Sequence, residues 1–252
     1  MFPRASEWCY SDDPLKRARG ADVLCQLRRP RVSKENAAGH DSDPVFVSES
    51  FELISRMLAR ECNETALMSQ LYALGHLYKI EAVPLLVAFA TDAREDMRYA
   101  VAHSLGHFPH DPLSIVTLIQ LADDADDDVR NWSLFALGSQ SDSDSPTLRN
   151  LFAAHLEDSN EDARQEAIAG LAKRRDRRAA LPLLRLMESG SYYAHNYYDF
   201  LNLVVDEADR SGWGTEDFID ALYERYADIL PAREQSAALG TAPADERTGL
   251  VE

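Results

Sequence analysis

His103 and His107 stand four residues apart, the spacing at which two imidazoles on one helix face can share a metal ion. His76, His110 and several carboxylates are the candidates to complete such a set, yet no His-Glu-x-x-His motif accompanies them. The run Asp123-Asp124-Ala125-Asp126-Asp127-Asp128 has the charge of a calcium loop but lacks its glycine, so it reads as overlapping helix caps and a solvated turn. Cys9, Cys25 and Cys62 are odd in number and form no Cys-x-x-Cys pair, which argues against a disulfide framework or a zinc site. No nucleophile–base–acid set, phosphate loop or cofactor fingerprint occurs. These residues predict no metal and no cofactor, and binding rather than catalysis.

The elements that must position such residues come from an internal repeat. Asp92-Ala-Arg-Glu-Asp-Met-Arg98, Asp124-Ala-Asp-Asp-Asp-Val-Arg130 and Asp158-Ser-Asn-Glu-Asp-Ala-Arg164 align without gaps, and Leu105, Leu137 and Leu171 each follow seven residues later. The pattern predicts a helix start. Asp92, Asp124 and Asp158 are expected to cap free N–H groups, with Glu95, Asp127 and Glu161 answering three places on. An apolar helix precedes each motif, beginning near Val83-Pro84, Pro112 and Pro146, so one unit is helix A, an acidic turn and helix B. The low content of 11 Gly and 11 Pro agrees with an all-α chain. The expected organisation is one solenoid over residues 1–230, followed by a disordered acidic tail at 231–252. Within it, an unpaired first helix covers about 12–27, a flexible linker about 28–44, repeats about 45–205 and a capping helix 215–230.

The repeated Asp-x-x-acidic-Asp-apolar-Arg motif and the endings Ala73-Leu74-Gly75, Ser104-Leu105-Gly106 and Ala136-Leu137-Gly138 resemble HEAT repeats, especially the bacterial phycobilisome-lyase type. That resemblance implies a right-handed α-α superhelix of about five helix pairs with terminal capping helices. It also implies that the repeated arginines, Arg98, Arg130 and Arg164 with Arg17 as an outlying member, ladder with turn acids such as Asp92, Asp124 and Asp158. Fold alone says little about function. The HEAT-like deoxyhypusine hydroxylases hold iron through His-Glu dipeptides, which this chain lacks.

With helix B numbered from the apolar residue before each Arg, places 1, 6 and 9 are apolar in four units and predict the buried face. Places 3, 7 and 11 form one stripe on another face. They carry Met68, Tyr72 and His76, then Tyr99, His103 and His107, then Asn131, Phe135 and Ser139, then Gln165, Ala169 and Lys173, with Trp132 bordering. In HEAT-like arrays helix B lines the concave side, so the stripe is either a binding surface or packing between adjacent helices. A secondary surface is Tyr192, Tyr193, Tyr197 and Tyr198.

The chain carries 43 acidic and 26 basic residues, a net charge of −17, which repels phosphate backbones and attracts basic partners. No signal peptide or membrane-length apolar run is visible. The expectation is a cytoplasmic, monomeric, non-enzymatic module, an adaptor or immunity-type binder, that takes a protein partner with a basic segment and neither nucleic acid nor membrane. A bilin lyase or isomerase, implied by the resemblance, is the alternative. A HEAT-like DNA repair protein is the second alternative, and the charge opposes it.

Overall fold

The computed structural model describes residues 1–27, 46–190, 192, 196–205 and 212–233, and these are helical with no strand. Six helix pairs follow one another: α1 (Phe2–Cys9) with α2 (Pro14–Gln26), α3 (Val47–Leu58) with α4 (Glu64–His76), and α5 (Val83–Val87) with α6 (Glu95–Leu105). Then come α7 (Pro112–Leu121) with α8 (Asp127–Phe135), α9 (Pro146–Ala154) with α10 (Glu161–Lys173), and α11 (Ala180–Ser189) with the short α12 (Tyr197–Leu201). Helix α13 (Thr215–Arg225) packs on α11. The second helices stack in one file, α2 on α4, α4 on α6, α6 on α8, α8 on α10 and α10 on α12. Leu71, Ala102, Leu134 and Ile168, with Leu74, Leu105, Leu137 and Leu171, are buried along that file.

Local chemistry explains the helix starts. Asn63 and Asn160 accept the N–H groups of Ala66 and Ala163, and Asp126 accepts those of Asp128 and Val129. Asp111-Pro112 and Ser145-Pro146 open α7 and α9, with the cap oxygen on the third residue after it and proline where no donor is missed.

Two expectations need correction. The first helix is not unpaired, because α1 packs on α2. Its buried residues are only Ala5 and Cys9, against Gly20, where a Cβ would fall 2.7 Å from Cys9 Sγ, so no apolar run announces it. Asp92, Asp124 and Asp158 are not the caps; each lies two residues before the cap and accepts the N–H of the residue two places on, Arg94, Asp126 or Asn160. The repeats expected to reach about residue 205 close with a short second helix, Tyr197–Leu201, among the described residues. The expected linker at 28–44 and most of the expected tail, 234–252, lie outside the described residues.

Asp124 and Asp158 are taken up instead by an arginine ladder. Arg98 sends Nη1 to the carbonyls of Asp92 and Ala93 in its own turn, and grips Asp124 of the next turn with Nε and Nη2 at 2.7 and 2.8 Å. Arg130 repeats this with Asp124 and Ala125 behind and Asp158 ahead, at 3.1 and 2.9 Å. Arg17 makes the same rung to Glu61 at 2.7 and 2.8 Å. The rung is missing between α4 and the next turn, because Leu67 occupies the arginine place; Asp92 pairs with Arg94 instead, at 2.8 Å. That junction closes by contact: Ser104 Oγ donates to the Leu71 carbonyl at 3.1 Å, and a Cβ on Gly75 would fall 2.7 Å from the Ser104 Cβ. Farther along, buried Arg174 donates to the carbonyls of Leu137, Gly138, Ser141, Ser143 and Gly170, holding the ends of α8 and α10 together.

Bidentate hydrogen bonds from Arg17 and Arg94 hold the Glu61 and Asp92 carboxyls at about 2, below their ordinary range. A carboxylate depressed in the folded state contributes stability that is present above its unfolded value, about 4, and is lost as pH falls toward the folded value. The melting temperature should therefore drop between about pH 4 and pH 2, and Glu61→Gln should be less stable at pH 6 yet lose less over that window. Equal acid sensitivity in the variant and the parent chain would contradict the rung.

Candidate functional site

On the file of second helices the rings meet one another. Tyr72 of α4 stands edge-on to His103 of α6, centroids 5.2 Å apart, and His76 lies 5.8 Å from His103 and 4.8 Å from His107. His103 in turn contacts Trp132 of α8 at 4.8 Å, and Tyr99 meets the same indole edge at 5.9 Å. Trp132 reaches Phe135 at 5.5 Å, so one chain of aromatic contacts crosses three repeats. Met68, Tyr72, His76, Tyr99, His103, His107, Asn131, Trp132 and Phe135 are all half-buried. Met68, Tyr72, Tyr99 and Trp132 pack down on the core, and each of the nine keeps part of its surface outward.

Burial shapes the chemistry of this ridge. It pushes the Tyr72 phenol up to about 12, with Tyr99 and Asp96 adding to the shift, and raises Tyr99 as well, with Asp128 contributing. Burial lowers His103, and the neighbouring His76 lowers it further, both favouring the neutral imidazole. His103 Nδ1 and Asn131 Oδ1 are buried without a hydrogen-bond partner among the described residues. His76, His103 and His107 form a cluster of rings rather than a metal set: among the described residues no group of three or more His, Cys, Asp or Glu is arranged to hold an ion.

Three neighbours of the ridge escaped the sequence reading. Tyr78, half exposed, follows α4 in a left-handed conformation (φ 53°) and brings its ring 5.0 Å from His107. Asp96 and Asp128, one place before the buried face begins, are exposed and make no ion pair among the described residues. They were hidden by their role in the repeated motif, where they read only as helix-start acids, although each lies one turn from the stripe residues Tyr99 and Asn131. The stripe also ends sooner than its spacing suggests. Gln165 and Ala169 are buried where α12 packs on α10, and Lys173 is spent on the Ser139 and Ser141 carbonyls and on Asp142.

The secondary cluster divides. Tyr192 and Tyr197 are half-buried with centroids 6.1 Å apart, Tyr192 near Thr215 and Tyr197 near the Trp213 carbonyl, between α12 and α13. Tyr198 is exposed, and Tyr193 lies outside the described residues. In the arginine series Arg98 and Arg130 form rungs, while Arg164 bonds, among the described residues, only the Asp158 and Ser159 carbonyls of its own turn; the next turn of the register has Gly190 in the place of the acid.

Paired helices with this ladder match the family described as HEAT repeats over residues 52–138 and 115–194, more than half of the chain. The chain belongs to the HEAT-repeat family. Among curated relatives, Protein YibA of Escherichia coli K12 is 27% identical over 192 residues, 75% of this chain and 64% of YibA, so the match spans less than two thirds of that relative. The X-ray structure of E. coli YibA aligns with a TM-score of 0.62 at 22% identity, covering 88% of this chain and 79% of the other. The CpcE–CpcF complex of phycocyanin lyase from Nostoc aligns at 0.57 and 16% identity, covering 95% and 93%. At these identities the structural likeness is one of fold. No helix among the described residues is long and apolar enough to cross a membrane.

His103 gives this HEAT surface a titration signature. Its folded pKa lies below the ordinary histidine value of about 6.5, so its neutral form adds stability above that value, which is lost as pH falls through the folded pKa. A proton NMR titration of the imidazole resonances should place His103 below 6.5; a value at or above it would contradict the packed ridge.

Proposed function

We propose that this HEAT-repeat protein is a non-enzymatic binding scaffold whose second-helix ridge takes a basic, extended segment of a partner protein. The observation that carries the reading is the conjunction on one face of linked, half-exposed rings with the exposed carboxylates of Asp96 and Asp128, which make no ion pair among the described residues. A lysine or arginine side chain is satisfied by that combination: its charge by a carboxylate, its stem or guanidinium plane by an aromatic face. Each such contact is worth about 0.5–1 kcal/mol when exposed, so several repeats acting together give useful affinity. The net charge of −17 speeds encounter with a basic segment. Lys173, the stripe's one basic residue, is already held by the chain's own carbonyls and Asp142, which supports a protein rather than a nucleic-acid partner. The ladder keeps the repeats at fixed spacing, so a monomer suffices, as an adaptor or immunity-type binder in the cytoplasm. Similarity to a lyase subunit is of fold and does not by itself bring bilin chemistry to this surface.

Titration with a synthetic lysine- and arginine-rich peptide tests the reading. Asp96→Asn with Asp128→Asn should weaken binding roughly tenfold and flatten its salt dependence, and Tyr99→Ala with Phe135→Ala should weaken it with the helical circular dichroism intact. Equal affinity for the parent chain and both variants would remove the ridge as the binding face.

A further inference from the structure

The arginine ladder ends on an open rung. In Arg17, Arg98 and Arg130 the guanidinium is held in one way: Nη1 bonds two carbonyls of its own turn, and the Nε–Nη2 edge grips a carboxylate bidentately. Arg164 keeps the first half of this arrangement, with Nη1 on the carbonyls of Asp158 and Ser159. The second half has no carboxylate among the described residues. The same edge that binds an acid in three earlier repeats is therefore held in place with no carboxylate of the described residues on it.

Arg164 lines a cavity of about 250 Å³ with Arg185, a second guanidinium without an ion pair among the described residues, over apolar walls that include Leu156, Ile168 and Leu186. Glu157 and Glu161 line the same cavity, so its charge is balanced and a multiply charged anion is disfavoured relative to a single carboxylate. A second copy of the chain stacked head to tail does not supply the acid: the matching place in the first turn, six residues before Arg17, is Ser11.

We infer that Arg164, with Arg185 beside it, forms a carboxylate-binding site at the last complete repeat, separate from the aromatic ridge. A planar carboxylate matches the Nε–Nη2 fork in the way that Asp124, Asp158 and Glu61 do on the earlier rungs. The apolar walls take a short hydrocarbon stem. Two sources present this chemistry, a free small acid or a glutamate side chain on a polypeptide, and one experiment separates them.

Arginine Nε–H resonances of the full chain are followed by NMR during titration with succinate, with N-acetylglutamate amide and with inorganic phosphate, at constant ionic strength. The Arg164 signal should shift and saturate with a carboxylate, while those of Arg98 and Arg130, already occupied, stay in place; Arg164→Gln should abolish the saturable response. Response to N-acetylglutamate amide at least equal to that to succinate assigns a polypeptide-borne carboxylate, and a response to succinate alone assigns a free acid. No saturation at Arg164 with either, a stronger response to phosphate, or shifts shared equally by Arg98 and Arg130 would overturn the site. Because the parent chain alone shows the shift, the result holds even if the variant folds poorly.

Discussion

A guanidinium bridging two successive turns is the contact on which this solenoid depends. Each full rung does two things at once: it satisfies carbonyls left free in its own turn and ties the next repeat through a bidentate carboxylate. With both partners largely buried, as in Arg130–Asp158, removing one leaves an uncompensated charge, which costs roughly 3–5 kcal/mol. The rung thereby fixes the offset between neighbouring second helices more sharply than apolar packing, which tolerates sliding, would do alone.

The ridge inherits that offset. Tyr99 and His103 reach Trp132 across the junction bound by Arg98 and Asp124, and ring contacts of this kind need their helices set at a constant register. The junction between α4 and α6 lacks a rung yet carries the contacts of Tyr72 and His76 with His103. There the register is kept by the close approach at Gly75 and the buried Ser104–Leu71 bond. Two physical devices thus hold one continuous surface, and the surface ends where neither continues in the same form, as α12 covers Gln165 and Ala169.

The architecture was legible because the Asp-to-Arg motif recurs and because places 1, 6 and 9 of four successive second helices are apolar and buried, from Ala66 to Leu171. Helix α1 was not, since it packs through Ala5, Cys9 and Gly20, residues too small to mark a period. Capping was misplaced by two residues because Asp92, Asp124 and Asp158 look like caps until a guanidinium in three dimensions claims them, directly or through Arg94. Helical spacing put the ridge residues on one face, but it carries no information about pairs such as Tyr72 and His103, which meet only between repeats. Tyr78 reached the site through a left-handed backbone step that a helical count does not contain.

The rung between Arg98 and Asp124 holds two segments of the ridge in register, and nuclear Overhauser contacts between the Trp132 indole and the His103 and Tyr99 rings test this most directly. In the parent chain these contacts should be present, and in a folded Asp124→Asn variant, whose rung to Arg98 is weakened, they should fade while those of Tyr72 with His103 persist. Contacts of unchanged intensity across the Asp124→Asn junction would show that the ladder does not set the geometry of the surface.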